Sequence, residues 1–183
     1  MRSIQPMEEK YREPALDLLQ EVFSESDSPE EGRFVRALAQ EIRAGAYYVP
    51  ELELIMTGEG GEILGYAMFS RFPIEGRYAD ELLILTPVAV KTACQRQHIS
   101  RDLIEYGFAR AAELGYKAVL VEGDPKNYHA RGFETSADHG IVAGPDIHLP
   151  HVSCLMVRKL VEGALAGIHG TVDYSLYETL RNE

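Results

Sequence analysis

The sequence predicts a single α/β domain, and three observations carry that prediction. Its 183 residues are enough for one domain with a sizeable core. Two segments with helical spacing of apolar residues precede several short apolar runs that are typical of strands. Over residues 82–121 an apolar run, a polar loop, a helical segment and a second apolar run follow one another. That order is typical of a strand–loop–helix–strand unit with parallel strands, so we expect a sheet flanked by helices.

The first half of the chain predicts a short strand, two helices and a β-hairpin, in that order. Two early segments repeat apolar residues with the period of an amphipathic helix, separated by a polar stretch that ends at Pro29. Alternating apolar residues then flank a glycine-rich turn at residues 58–61, as in a hairpin. The predicted strands cover residues 3–5, 52–56 and 63–69; the predicted helices cover residues 6–23 and the segment from residue 34 to Gly45.

The second half predicts three further strands and one helix. Residues 81–90, 117–121 and 152–160 are the strand segments, and residues 101–114 have the helical period before Gly115. No internal repeat, low-complexity tract or linker interrupts the chain. We therefore expect a core of about residues 1–162, with residues 163–183 as a C-terminal extension of the same domain.

The loop at residues 95–100 is a candidate phosphate cradle. The first turn of the following helix leaves backbone N–H groups unpaired and carries the positive end of the helix dipole. Gln95, Arg96 and Gln97 add donors around it. Pro87 cannot donate to a strand ladder, so the peptide groups of residues 88–90 are left for an amide-containing ligand. Coenzyme A has an amide-containing pantetheine arm attached to a diphosphate, so it fits a strand with free peptide groups followed by a phosphate-binding loop. The alternative interpretation is an ordinary turn with a polar surface.

Charge and composition exclude several other functions. The formal net charge of −11 repels nucleic acid, and no apolar run approaches the length of a membrane span. The N-terminus lacks a signal-like apolar core, and the chain has only two cysteines, Cys94 and Cys154. We therefore expect a reducing, cytoplasmic setting in which both cysteines are packing side chains. We predict no metal, because His139, Asp146, His148 and His151 match no compact ligand spacing, and no dinucleotide fingerprint is present.

Four segments carry a resemblance to one family. Residues 95–100 (QRQHIS) resemble the Q/R-x-x-G-x-G/A pyrophosphate loop of the GNAT N-acetyltransferase superfamily, with His98 and Ser100 at its small-residue positions. Residues 119–133 (VLVEGDPKNYHARGF) are similar to a branch with a GDP-x-Y-Y-x-x-x-G-F signature, in which Tyr128 matches the second tyrosine and Asn127 replaces the first. Residues 151–165 and 170–174 resemble the last strand and tail of that branch.

The resemblance implies a GNAT fold, with a mixed, mostly antiparallel sheet splayed where acyl-CoA inserts. It implies an N-acetyltransferase in which a small-molecule or protein amine attacks acetyl-CoA directly. Since His98, Ser100 and Thr92 depart from the usual loop, a non-catalytic acyl-CoA-binding or interaction module is the alternative. The acceptor and the oligomeric state stay open, with a homodimer as one option. The expected cofactor contacts are Val88, Ala89, Val90, Gln95, Arg96, Gln97, His98, Ile99, Ser100 and Asn127.

Two residues are candidates for catalysis by the same resemblance. Tyr128 is the expected donor of a proton to the departing thiolate, and a buried phenol that only packs on the pantetheine arm is the alternative. Glu81, at the start of the strand that leads to the loop, is the expected base for the amine, with a solvated strand-end carboxylate as the alternative. Glu122 and Asp124, after the neighbouring strand, are similar candidates for the base, and Asp124 before Pro125 is better suited to a turn or to capping a helix.

Overall fold

The computed structural model describes residues 1–181, in which five α-helices and nine strands are joined by short 3₁₀ turns. The helices are α1 (Arg12–Ser26), α2 (Pro29–Ala44), α3 (Ile99–Glu113), α4 (Pro125–Tyr128) and α5 (Glu178–Arg181). The strands are β1 (Ser3–Pro6), β2 (Glu53–Thr57), β3 (Ile63–Arg71), β4 (Leu82–Val90), β5 (Ala118–Glu122), β6 (Glu134–Thr135), β7 (Ile141–Ala143), β8 (Leu155–Lys159) and β9 (Gly170–Val172). None of the helices in this part of the chain is long and apolar enough to cross a membrane.

The first two helices lie where the apolar period predicts them, but both of their starts differ. α1 begins at Arg12 rather than at residue 6, because Ser3–Pro6 pairs as a strand and a 3₁₀ turn intervenes. α2 begins earlier than residue 34, since Ser28 Oγ accepts a hydrogen bond of 3.1 Å from the Glu31 amide and Pro29 opens the helix. A serine cap followed by proline is a strong helix start that apolar spacing alone does not reveal.

Seven strands form one sheet in the order β1-β2-β3-β4-β5-β8-β6. All neighbours are antiparallel except β4 and β5, which pair in parallel from Leu82 opposite Ala118 to Ile84 opposite Leu120. Beyond that point the two strands pair no further, so the second half of β4 has no neighbour on that side. The mixed, mostly antiparallel sheet that opens between these strands confirms the predicted fold.

A bulge marks the place where β4 parts from β5. Ala67 faces Val88 across the β3–β4 pair, whereas Phe69 faces Leu85, so the pairing register shifts there. Thr86 and Pro87 of β4 thus lie opposite the single residue Met68, so β4 carries one extra residue, and a bulge bends the strand that carries it. Proline, which has no N–H to donate, is well suited to this interruption. The prediction that pairing breaks at Pro87 is therefore confirmed.

Helices cover both faces of the sheet. On one face, Leu103 and Phe108 of α3 pack with Ala67 and Phe69 in one buried cluster. A side chain on Gly107 would place its Cβ 2.2 Å from a ring carbon of Phe69, so glycine allows this close approach. On the other face, α1 and α2 pack on the alternate residues of β3, Tyr66 and Met68.

A buried ion pair fixes α2 to the sheet. Glu53 of β2 is fully buried and accepts hydrogen bonds of 2.5 Å from Arg43 Nε and 2.8 Å from the Tyr66 hydroxyl. The Tyr48 hydroxyl donates to its second carboxylate oxygen. Buried charges need partners of this kind, because an unpaired carboxylate in the core is very costly. The network holds the end of α2 against β2 and β3.

The C-terminal segment is attached by a second, small sheet. β9 pairs in parallel with β7, from Ile141 opposite Gly170 to Ala143 opposite Val172. Tyr177 beyond it is buried, and the carboxylate of Glu41 on α2 accepts hydrogen bonds from the first residues of α5. The sequence analysis does not predict β6, β7 or β9, each of which has only two or three residues. The division into a core of residues 1–162 and an extension stays a prediction.

Candidate active site

The loop between β4 and α3 keeps a backbone shape that glycine would favour. His98, the residue before α3, has φ 63° and ψ 15°, and Arg96 has φ 61°. Few residues other than glycine adopt this left-handed conformation, although histidine does so more readily than most. The carbonyl of His98 accepts a hydrogen bond of 3.0 Å from the Asp102 amide, so the helix begins there. The amides of the first turn consequently point into the loop, as an anion site requires.

A cavity of about 680 Å³, here called the loop cavity, opens beside this helix start. Nine of the ten predicted cofactor contacts line it, together with Tyr128: Val88, Ala89, Val90, Gln95, Arg96, His98, Ile99, Ser100 and Asn127. Gln97 is the exception, because its side-chain and backbone oxygens accept hydrogen bonds from Arg2. The second half of β4, which has no neighbour on the β5 side, thus surrounds the loop cavity together with the loop and α4.

Three cationic side chains in the loop cavity were not among the predicted site residues. They are Arg101, Lys126 and Arg131, which line the cavity together with Arg96. Arg131 donates hydrogen bonds of 3.1 Å to Ser100 Oγ and 3.0 Å to the Asn127 carbonyl, and its Nε is buried with no partner among the described residues. In a chain with net charge −11 this local positive charge favours an anionic ligand. The signal in the sequence was Arg131 itself, which lies within residues 119–133, the segment that carries the resemblance.

Tyr128 lies at the inner end of the loop cavity, held by a short capped helix. Asp124 accepts a hydrogen bond of 2.9 Å from the Lys126 amide and so caps α4, as expected. The phenol ring lies on Gly123, where an added Cβ would be 2.5 Å from ring carbon Cε2. Burial raises the pKa of Tyr128, and Arg131 opposes that shift only in part. The hydroxyl therefore holds its proton at neutral pH.

A second cavity of about 440 Å³ adjoins the first. Phe23, Val88 and Tyr128 line both, so Tyr128 stands between the two spaces. The other walls come from α2, the bulge of β4, the end of β5 and the C-terminal segment. Within residues 1–181, the acidic side chains that line it are Glu31 and Glu122. Two adjoining cavities with a protonated phenol between them allow two substrates to meet there.

Glu81 does not line either cavity. It precedes β4, seven residues before Val88, which at roughly 3.3 Å per residue is about 23 Å along the strand. Its carboxylate lies 3.6 Å from Lys117 Nζ, and its carbonyl accepts hydrogen bonds from the Lys117 and Ala118 amides. Glu122, at the other end of the neighbouring strand, lines the second cavity. The structure thus brings Glu122, and not Glu81, close to Tyr128.

The remaining candidate ligands and nucleophiles lie apart from the cavities or pack in the core. Residues 1–181 contain no group of three or more His, Cys, Asp or Glu side chains that could hold a metal ion. His139 Nε2 lies 3.3 Å from a carboxylate oxygen of Glu134, and His151 contacts Ser153. Cys94 packs against the buried cluster that contains Leu103 and Phe108 of α3. Cys94 and Cys154 are both free thiols.

Comparison with known proteins gives one consistent family. The sequence model of the acetyltransferase (GNAT) family matches residues 12–134. A protein of Escherichia coli K12 described as "uncharacterized N-acetyltransferase YhbS" is 30% identical over 162 residues, which are 88% of this chain and 89% of that protein.

Solved structures agree with the sequence comparison. The crystal structure of the GNAT family N-acetyltransferase YhbS from Escherichia coli in complex with CoA has a TM-score of 0.83 at 26% identity, covering 98% of this chain and 92% of that one. The structure of a GNAT family acetyltransferase from Brucella melitensis in complex with acetyl-CoA has a TM-score of 0.64 at 25% identity, and the match covers 74% of this chain and 84% of that one. The matches, the splayed sheet and the loop before α3 agree, and the chain belongs to the GNAT family of acetyltransferases.

Proposed function

We propose that this protein transfers an acetyl group from acetyl-CoA to an amine by direct attack within a ternary complex. The observation that carries the proposal is the gap between β4 and β5, where the loop cavity and the second cavity meet at Tyr128. Acetyl-CoA supplies an acetyl thioester, and the chain supplies two adjoining spaces that hold the thioester and the amine together. Holding two reactants in one geometry is itself a large part of the rate enhancement.

The lining of the loop cavity suits acetyl-CoA in three respects. The first amides of α3 and the side chains of Arg96, Arg101 and Lys126 favour a diphosphate. Residues 88–90 of β4 pair with β3 but have no strand on the β5 side, so peptide groups on that side can lie alongside an amide-containing arm. The buried, unpartnered Nε of Arg131 is a donor that a phosphate oxygen would satisfy. The CoA and acetyl-CoA complexes of the Escherichia coli and Brucella relatives support this assignment.

The proposed chemistry needs one acid and one base. A carboxylate of this chain takes a proton from the ammonium, and the neutral nitrogen forms a bond to the thioester carbonyl carbon. The carbon–sulfur bond then breaks, and Tyr128 gives its phenolic proton to the departing thiolate. The acetylated nitrogen loses its second proton, which restores the phenol of Tyr128 through solvent. The products are therefore the N-acetyl amine, free CoA and the one proton that the carboxylate passes to solvent.

We assign the base to Glu122. It lines the cavity beside Tyr128, and the Tyr174 hydroxyl donates a hydrogen bond to its carboxylate, which orients it. Glu81, the candidate from the sequence, would have to act from the far end of β4, next to Lys117. A base must come within hydrogen-bond reach of the proton that it removes, directly or through one water, and Glu122 meets that condition more easily.

Calorimetric titration with acetyl-CoA, followed by a thiol-release assay over a broad panel of amines, tests the proposal. We expect saturable binding with one site per chain and release of free thiol only when an amine is present. Binding without thiol release from any amine would favour the non-catalytic acyl-CoA-binding module. Absence of binding would contradict both functions.

The acceptor is proposed to be an amine of a small molecule or a protein, in the cytoplasm. The two free thiols, Cys94 and Cys154, support a reducing compartment, and the net charge of −11 supports a cationic rather than a polyanionic partner. Cell fractionation of the tagged protein would test the location.

A further inference from the structure

The second cavity has the size and position of a small-molecule site. Its volume of about 440 Å³ lies within the range of roughly 300–1,000 Å³ that is usual for ligand pockets. It reaches the loop cavity at Tyr128 and Val88, where the thioester carbonyl would lie if acetyl-CoA binds as proposed. A molecule that fills it therefore faces the reacting centre.

The walls of this cavity are mainly apolar. Phe34 and Leu38 of α2, Leu85 of β4 and Leu180 of α5 all line it, and Leu180 packs against the same buried cluster as Leu38. Leu38 and Leu85 are almost fully buried, whereas Phe34 and Leu180 keep part of their surface open to the cavity. Such walls bind an aliphatic or aromatic body through burial of apolar surface, which favours binding by roughly threefold to fourfold for each methylene enclosed.

The charged side chains among the described residues that line this cavity are both acidic. Glu31 and Glu122 both contribute carboxylates, and no Lys, Arg or His is among the described residues that line it. The Tyr174 hydroxyl donates to Glu122, which holds the carboxylate in place without neutralising it. A cation is favoured here, and a molecule with a free carboxylate is repelled.

The C-terminal segment builds part of this site. Tyr174 and Leu180 lie outside residues 12–134, the part of the chain that matches the family model. Pairing of β9 with β7, and the packing of Val172 in one cluster with Ala118 and Leu120 of β5, place the segment beside β5. The Glu41 carboxylate then accepts hydrogen bonds of 2.9 Å from the Thr179 amide and 2.5 Å from its hydroxyl. The segment is therefore fixed at both ends of the wall that it forms.

We propose that the second cavity binds a small primary amine with an apolar aliphatic or aromatic body, and that Tyr174 and Leu180 of the C-terminal segment select it. The ammonium group faces Glu122, and the apolar body lies against the side chains that α2, β4 and α5 contribute to the cavity wall. This inference rests on the proposed function, since it names the acceptor of the same reaction. It narrows the acceptor to amines that carry no carboxylate.

Calorimetric titration with a matched set of probes tests the proposal by binding rather than by turnover. The probes are alkylamines from ethylamine to hexylamine, phenethylamine, the neutral phenethyl alcohol and the anionic 3-phenylpropionate, each added to protein alone and to protein saturated with CoA. We expect affinity to rise about threefold per methylene along the series. Phenethylamine should bind at least tenfold more tightly than phenethyl alcohol, and 3-phenylpropionate should bind least.

Variants separate the charged part of the site from the apolar part. Glu122→Gln should weaken the binding of phenethylamine at least tenfold and change the affinity for phenethyl alcohol by less than twofold. Tyr174→Phe should also weaken the binding of phenethylamine, but by a smaller factor. Leu180→Ala should weaken the binding of hexylamine and leave the affinity for ethylamine unchanged. Leu114→Ala makes the same truncation at the exposed end of α3, far from the cavity, and should change neither.

Each outcome supports or overturns the inference. Equal binding of short and long amines, or binding of 3-phenylpropionate as tight as that of phenethylamine, would overturn it. So would an unchanged affinity for phenethylamine in Glu122→Gln. If acetyl-CoA fails to bind, the proposed function fails, while the titrations without CoA still decide the chemistry of the cavity. If acetyl-CoA binds and only polar or protein amines are acetylated, this inference alone fails.

Discussion

Arg131 donates a hydrogen bond of 3.1 Å from its guanidinium to the hydroxyl of Ser100, and so joins the turn after α4 to the first turn of α3. The same guanidinium lies 5.8 Å from the centre of the Tyr128 ring. A permanent positive charge thus stands between the proposed diphosphate site and the proposed acid. It compensates in part for the altered loop, since Ser100 occupies a position where the related motif has glycine or alanine.

Replacing Arg131 should weaken the binding of acetyl-CoA. Arg131→Gln removes a charged donor from a phosphate site, which is worth about 1.5 kcal/mol or more, or roughly tenfold in Kd. Arg110→Gln, near the other end of α3 and paired with Glu113, is the matched control. Calorimetry at two salt concentrations measures the effect, and the salt dependence of binding should fall only in Arg131→Gln. Equal affinities for the two variants would remove Arg131 from the site.

His98 should tolerate glycine and reject valine. The backbone at His98 is already left-handed, so His98→Gly needs no rearrangement and should change the Kd for acetyl-CoA by less than about threefold. A β-branched residue pays about 1–2 kcal/mol to adopt this conformation, so His98→Val should lower the free energy of unfolding and weaken binding. Urea unfolding and calorimetry measure the two quantities. Markedly tighter binding by His98→Gly would show that the imidazole narrows the site, and a tenfold weaker affinity would show that it contacts the ligand.

The strand–loop–helix–strand unit could be predicted from sequence because its signals are local. The apolar period fixes β4, α3 and β5, Pro87 marks the interruption in β4, and Asp124-Pro125 marks the start of α4. Each of these depends on residues that are neighbours in the chain. The nine cofactor contacts that share the loop cavity all belong to this unit or to the helix that follows it.

The features that could not be predicted depend on contacts between distant residues. Arg131 reaches Ser100 across 31 positions, and β7 pairs with β9 through only three residues on each side. Tyr174 meets Glu122 only because that pairing directs the tail across the end of β5. No local pattern encodes such contacts. The sequence consequently predicted the proposed site for acetyl-CoA in far more detail than the second cavity.

Replacing Tyr128 should separate chemistry from binding. Tyr128→Phe keeps the ring that lies on Gly123 but removes the proton, so kcat should fall about 100-fold while the Kd for acetyl-CoA stays within twofold. Because burial raises the pKa of Tyr128 above its ordinary value of 10.0, its loss of a proton should not reduce the wild-type rate below about pH 10. Steady-state rates across this pH range and calorimetry test both statements. An unchanged kcat would leave Tyr128 as a packing residue only.

Two carboxylates can be compared directly as the base. Glu122→Gln removes the carboxylate beside Tyr128 and should lower kcat at least tenfold, most strongly for amines of high pKa, which need a base at neutral pH. Glu81→Gln removes only an exposed partner of Lys117, and its kcat should stay within twofold. The rate of thiol release at saturating amine measures both. The reverse result would return the role to Glu81 and imply that the amine reaches the far end of β4.

The attachment of the C-terminal segment should depend on pH through Glu41. Burial alone would raise the pKa of Glu41, but hydrogen bonds from Thr179 and Glu178 outweigh it and hold the pKa below its usual 4.5. A carboxyl group whose pKa is lower in the folded state stabilises at neutral pH, and that contribution is lost as the pH falls from about 4.5 through the folded pKa. At pH 7, Glu41→Gln should therefore speed hydrogen exchange at residues 173–181 and weaken hexylamine binding, as acid does in the wild type. Glu21→Gln, an exposed change on α1, is the control and should change neither hydrogen exchange nor hexylamine binding. If hydrogen exchange at residues 173–181 stays slow in Glu41→Gln, then β9 and the buried Tyr177 hold the segment in place without the Glu41 carboxylate.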